Sequence, residues 1–159
     1  MEKSKTCCFA GNGSLSKEKI EQLLIRLNQE IDYLINQGIT NFISGGSLGF
    51  DQIAASMIIA KKEMGKNIRL IFALPYKNQD EFWGTAQKML YLGLLWEADE
   101  IIYVSEEYAY GCMKKRNRYM VDSSEYCICA KHFPIGRTAQ TVRYARQSGI
   151  KVVNVARAT

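Results

Sequence analysis

A three-layer, doubly wound α/β domain around a mainly parallel sheet is the fold class this sequence predicts. Three observations carry the prediction. Short apolar runs alternate with amphipathic stretches along the whole chain. The runs are near-continuous rather than alternating (Arg69 aside), as strands buried on both faces require. Glycine-bearing turns follow several of them, at the edge where such sheets bind ligands. The 159 residues form one domain, 1–159, and a chain of that size buries about 68–70% of its unfolded surface without staples.

The elements follow in order. Residues 6–10 read as a strand. Residues 16–37 read as a long helix, with Ser16 as N-cap and Gly38 as stop signal. Its apolar positions Ile20, Leu23, Leu24, Leu27, Ile31, Leu34 and Ile35 keep the three-or-four spacing of a helix face. The second strand, 41–44, ends at Gly45-Gly46. A helix over 50–64 precedes Gly65. The third strand, 68–74, is stopped by Pro75. A third helix is expected over 79–97, with Phe82 and Trp83 near its start. Its Met89, Leu92, Leu95 and Trp96 read as core or as a helix–helix interface. Then come a strand at 100–104, a helix at 112–123, a strand at 126–130, a helix at 138–147 and a strand at 151–155. Together these make a Rossmann-like domain with nothing inserted.

Composition narrows the function classes. The chain is 47% apolar and 23% charged, with two prolines, which is ordinary for a soluble globular protein. No apolar run approaches the ~18 residues of a membrane span. The short apolar stretch before Gly11 is too brief for a signal-peptide core. A cytoplasmic location is therefore expected. The net charge of +5 is spread over both halves, which makes a nucleic-acid partner unlikely on sequence grounds. One local cluster, Lys114, Lys115, Arg116 and Arg118, suits a single phosphate group as well as a polyanion. The five cysteines read as buried reduced thiols. No metal site is read, since zinc spacing is absent and His132 is the single histidine. That residue reads as a loop residue rather than a base.

The strand ends hold the chemistry. Gly11-Asn12-Gly13-Ser14 follows the first strand, and Gly45-Gly46-Ser47-Leu48-Gly49-Phe50-Asp51 follows the second. Pro75-Tyr76 follows the third, and Ile135-Gly136-Arg137-Thr138 the fifth. Glycine lets backbone approach a ligand closely, and a helix N-terminus offers unpaired N–H groups and partial positive charge to a phosphate. Three such turns beside a basic helix start point to an anionic or nucleotide-like ligand. They are neither the dinucleotide fingerprint nor a Walker loop. Asp51, in the first turn of its helix, suits both the helix dipole and ribose hydroxyls. Trp83 suits both the core and stacking on a base. Arg116 is expected to be the main anion contact, because guanidinium holds phosphate in a fork.

Five motifs in order resemble the YpsA-like proteins of the SLOG superfamily, the Rossmann-like group named for Smf/DprA and LOG. They are Gly45-Gly46-x-x-Gly49-Phe50-Asp51, Gln79-x-x-x-Trp83, Tyr108-x-x-Gly111-Cys112-Met113, Arg116-Asn117-Arg118-Tyr119-Met120-Val121-Asp122 and Gly136-x-Thr138-x-x-Thr141. The resemblance implies a Rossmann-like fold and binding of a nucleotide-derived small molecule, such as ADP-ribose, an NAD-like ligand or a nucleoside phosphate. It also implies bacterial settings of cell division or stress signalling. The strand-end reading and the resemblance together mark Gly11, Asn12, Gly45, Gly46, Gly49, Asp51, Trp83, Arg116, Asn117, Gly136, Arg137, Thr138 and Thr141 for ligand binding. Where these proteins usually continue the first strand into Thr-Gly-His-Arg-Pro, this chain has Ala10-Gly11-Asn12-Gly13-Ser14. The charged contact of that loop is therefore missing. Arg137 replaces the second of two paired glycines.

The LOG phosphoribohydrolases sharpen the comparison. Their Met-x-x-Arg-Lys-x-x-Met corresponds to Met113-x-x-Arg116-Asn117-x-x-Met120. Thr141 stands where their catalytic glutamate would be, and a threonine hydroxyl activates water poorly at neutral pH. The reading is a nucleotide-ligand sensor or regulator without an established cofactor, in a chain that could form a homo-oligomer. One rival is an N-glycosidic hydrolase using Asp51 or Asp122. The other is an interaction module with a vestigial pocket.

Overall fold

The computed structural model describes residues 1–11 and 16–156. Asn12 and Gly13 therefore lie outside the described residues. The strands are β1 (Thr6–Gly11), β2 (Asn41–Ser44), β3 (Arg69–Leu74), β4 (Glu100–Tyr103), β5 (Tyr126–Ala130) and β6 (Lys151–Asn154). The helices are α1 (Lys17–Asn36), α2 (Phe50–Glu63), α3 (Thr85–Trp96), α4 (Cys112–Asp122) and α5 (Arg137–Gln147). The six strands form one sheet in the order β4-β3-β2-β1-β5-β6. Every pairing in it is parallel.

Parallel neighbours need crossover connections, and right-handed crossovers fix which face each helix takes. The chain winds outward from β1 to β4, so α1, α2 and α3 share a face. Their Leu27, Ile31, Phe50, Ala54, Ile58 and Tyr91 pack with Phe9, Phe42 and Phe72 of the sheet. The return to β5 and on to β6 puts α4 and α5 on the opposite face. There Met120, Val121, Val142 and Ala145 cover Cys8, Ile43, Ile71 and Cys127. Side chains alternate across the strands, so Cys7 and Cys8 belong to different cores. No disulfide joins any of the five cysteines, and all five are buried.

The third helix departs from the sequence reading. It begins at Thr85, not at residue 79, and Gly84 is its N-cap. The Gly84 N–H donates to Gln87 Oε1 at 2.9 Å, closing the first turn. Phe82 is 88% exposed and Trp96 87%, with Met89 and Leu92 also exposed, so these four are not core. The reason is position. The helix leads to the edge strand β4, and only Tyr91 and Leu94 of its apolar side chains are buried. No described helix is long and apolar enough to cross a membrane.

Candidate functional site

Sheet order reverses where β1 meets β5, strands that are neighbours in space but distant in sequence. The crevice beyond the carboxyl ends of such a pair is where open α/β sheets place ligands. A cavity of about 340 Å³ lies there. Of the residues marked in the sequence, Gly11, Asp51, Trp83, Arg116, Asn117, Arg137, Thr138 and Thr141 line it. Gly45, Gly46, Gly49 and Gly136 do not line it and instead shape the backbone around it. Ser47, Tyr76 and Gln79 line it too, although sequence reasoning gave them no role.

The β2–α2 turn is braced from within. Ser44 Oγ donates to the Asp51 carbonyl at 2.8 Å and accepts the Gly46 N–H at 3.2 Å. Gln52 Nε2 donates to the Gly46 carbonyl at 3.1 Å. Arg116, only 3% exposed, reaches in from α4. Its Nη1 donates to the carbonyls of Gly45 at 2.7 Å and Ala73 at 3.3 Å. Its Nη2 donates to Ser47 Oγ at 3.2 Å and its Nε to Asn117 Oδ1 at 2.8 Å. The guanidinium fork expected to grip a phosphate thus grips the protein, although the side chain still borders the cavity. This explains the glycines as well. A Cβ on Gly45 would sit 2.5 Å from Arg116 Nη1, and one on Gly11 would sit 2.5 Å from the Phe50 ring. Gly46 has φ +71°. Gly46→Ala is accordingly expected to cost about 1–2 kcal/mol, the left-handed penalty for a Cβ. Urea unfolding checks this, and an unchanged midpoint would show that the turn relaxes freely.

Asp51 is the electrostatic oddity. Its side chain is buried, and its Oδ1 has no hydrogen-bond partner among the described residues. Burial pushes its pKa up to about 6, although the Arg116 charge and hydrogen bonding from Ser47 pull it down. Burial also lowers the Arg116 pKa, and the Asp51 charge opposes that shift. An orphaned carboxylate oxygen in a cavity wall costs free energy unless something binds it.

The aromatic wall is held by Gln79. Its Nε2 donates to the Gly45 carbonyl at 3.1 Å and to Tyr91 Oη at 2.9 Å. Trp83, half-buried in the segment before α3, meets Tyr91 edge to face with centroids 5.0 Å apart. On the far wall, Gly136 caps α5 at φ +110° and ψ −178°, a conformation open essentially to glycine alone. A Cβ there would meet nothing within 4 Å, so its backbone borders open space. Thr141 Oγ1 donates to the Arg137 carbonyl one turn back at 3.0 Å.

A second cleft, of about 630 Å³, runs between α4 and α5. It shares Met113, Asn117, Arg137 and Thr141 with the inner cavity. Along the chain the positive charge is dispersed, the pattern from which a nucleic-acid partner is read as unlikely. Folding gathers Lys114 and Arg118 of α4 with Arg137 and Arg143 of α5 on this one cleft. The linear cluster at 114–118 divides in space, because Arg116 turns inward.

Comparison with known proteins agrees with this architecture. An uncharacterized SPbeta prophage-derived protein, YoqJ of Bacillus subtilis, is 33% identical over 142 residues, covering 79% of this chain and 83% of that protein. Among solved structures, the DNA processing protein A of Streptococcus pneumoniae superposes with TM-score 0.69 at 17% identity, over 94% of this chain. That of Helicobacter pylori gives TM-score 0.64 at 17% identity, over 92% of this chain. The chain spans 50% and 63% of those two longer proteins. The YpsA model, described as the YspA SLOG family, matches residues 13–133. That stretch runs from the β1–α1 connection to just past β5 and so holds most of the cavity wall. By its sequence match and by its fold, the chain belongs to the YpsA family of SLOG proteins.

Proposed function

We propose that the inner cavity binds a nucleotide-derived small molecule, a nucleoside phosphate, ADP-ribose or an NAD-like ligand, and that the protein acts as a sensor or regulator rather than a catalyst. The observation that carries this reading is the buried Asp51 carboxyl bordering the cavity, whose Oδ1 has no hydrogen-bond partner among the described residues. A ribose hydroxyl that donates to this carboxyl from the cavity side would offset part of the cost of burying it. Phosphate fits the opposite wall, where the first turn of α5 supplies N–H groups and dipole beside the Arg137 side chain. Tyr76 and Trp83 supply flat apolar surface for a base. The Helicobacter pylori neighbour is described as binding single-stranded DNA. At that identity the likeness shows the fold alone, so the reading rests on this chain's own cavity.

The hydrolase rival has little to work with. Asp51 is the one carboxylate among the described residues lining the inner cavity. Asp122 instead accepts the Tyr144 hydroxyl at 2.7 Å on an exposed face. The Thr141 hydroxyl is tied to its own helix. Glycosidic hydrolysis generally uses a pair of carboxyl groups. Calorimetric titration with AMP, ADP-ribose and NAD is expected to give one-to-one binding by at least one of them. Chromatography of the incubated mixtures is expected to show no free base above background. No heat and no melting shift with any of the three would refute the binding reading. Base release at several turnovers per second would make the protein a hydrolase.

A further inference from the structure

We infer that the outer cleft between α4 and α5 is a binding track for single-stranded nucleic acid. This cleft lies outside the inner cavity and shares one cation with it, Arg137; Lys114, Arg118 and Arg143 belong to the cleft alone. Among the described residues, four cations border the cleft, Lys114, Arg118, Arg137 and Arg143, and no acidic residue does. None of the four makes an ion pair among the described residues. Helices that place like charges on both walls of one cleft are stabilised by an anion between them.

Tyrosines distinguish this cleft from a plain anion trap. Tyr108, Tyr110 and Tyr144 line it beside the cations. Tyr110 is fully exposed and Tyr108 mostly so. Tyr144 is already arranged as a platform. The Arg118 guanidinium lies over its ring, 4.7 Å from the centroid, while its hydroxyl is anchored on Asp122. Tyr108 meets Tyr76 edge to face, with centroids 5.5 Å apart, linking the outer cleft to the inner wall. A cationic groove interleaved with aromatic rings is the recurring design for single strands, because phosphates track the charges and bases stack on the rings. A ligand with two phosphates leaves half of the four charges unanswered, whereas a strand of a few nucleotides answers them all. Duplex bases are stacked on one another and cannot use the rings.

The test is fluorescence anisotropy with a labelled twelve-nucleotide oligothymidylate, its RNA counterpart and a duplex of equal length, at several salt concentrations. The single strands are expected to bind. Log affinity should fall against log salt with a slope of about −2 to −3, as three or four neutralised phosphates give on a single strand. Arg118→Ala/Arg143→Ala is expected to lower affinity at least tenfold. Tyr110→Ala is expected to lower it about 5- to 100-fold, the stacking loss for one base. These three side chains are exposed, and unchanged melting temperatures establish that the variants fold. Any of three outcomes overturns the inference: no binding by the parent protein in low salt, duplex bound as tightly as single strand, or affinity indifferent to both the arginine and the tyrosine changes. Inner-cavity titrations on the same arginine variants are expected to be unchanged, which separates this result from the nucleotide reading.

Discussion

Arg116→Ala is expected to lower stability by about 3–5 kcal/mol, the usual consequence of removing one member of a buried charged network. Four of the five guanidinium N–H donors are used, on the Gly45 and Ala73 carbonyls, Ser47 Oγ and Asn117 Oδ1. Their loss strips the β2–α2 turn of its outside brace and leaves the buried Asp51 carboxylate without its compensating charge. For a domain of this size the loss corresponds to a melting temperature lower by roughly 6–20 °C. Arg116→Lys should recover part of it. A lysine ammonium restores the charge but cannot reach four acceptors in one plane. Ligand affinity should fall in the alanine variant because the turn loosens, not because a phosphate contact is lost. Thermal unfolding measures the effect, and a loss below about 1 kcal/mol would remove Arg116 as the brace.

Asp51→Asn is expected to move stability the other way. Burial pushes the folded carboxyl up to about 6, above the ordinary value of 3.8. Between about pH 4 and 6 the native state therefore holds a proton that the unfolded chain gives up. The stability this proton confers is complete below pH 3.8 and is lost as pH rises through about 6. Above that window the native state carries a buried, partly unsatisfied anion. At pH 8 the asparagine variant should be more stable than the parent by about 2–3 kcal/mol, because each tenfold rise in proton affinity on folding is worth ~1.4 kcal/mol. The gap should shrink as the pH is lowered toward 4. The same variant should bind nucleotide ligands more weakly, since an amide is a poorer acceptor for a ribose hydroxyl than a carboxylate. Denaturant unfolding at several pH values tests the first half and calorimetry the second. A variant less stable than the parent at pH 8 would show that the carboxylate serves the fold.

Most of the architecture is legible in the chain because the four inner strands, buried on both faces, leave unbroken apolar runs, while the edge strands β4 and β6 keep apolar runs although they are partly exposed. The β2, α2 and β5 limits follow from Gly45, Gly49 and Gly65, and from the run from Tyr126 to Ala130. The start of α3 is not so legible. Phe82 and Trp83 continue a helical spacing back toward Gln79, and the true signal, the Gly84–Gln87 contact, is a weak one. Exposure along α3 is hidden too, because spacing marks an apolar face without showing that the strand beneath it is an edge. Around the cavity, Asp51 and Gly11 on its wall, and the glycines of the turns behind it, are legible from the turns they punctuate. The inward turn of Arg116 and the bridging by Gln79 require atoms from three separate connections. The outer cleft requires that α4 and α5 lie side by side, and no local pattern encodes that adjacency.

The junction of β1 and β5 also sets a schedule for folding. Cys8 aligns with Cys127, so the central strand waits for most of the chain before its second neighbour exists. Long-range closure of this kind slows folding. During synthesis, β1 through β4 can pair as four of the six strands while one edge of β1 still lies bare, an edge open to pairing with another chain. The pocket is assembled at that same seam, so ligand competence should arrive with the last cooperative step and not before it. A nucleotide that binds there would act as a late clamp on the two halves, raising the cost of reopening the seam in proportion to its occupancy.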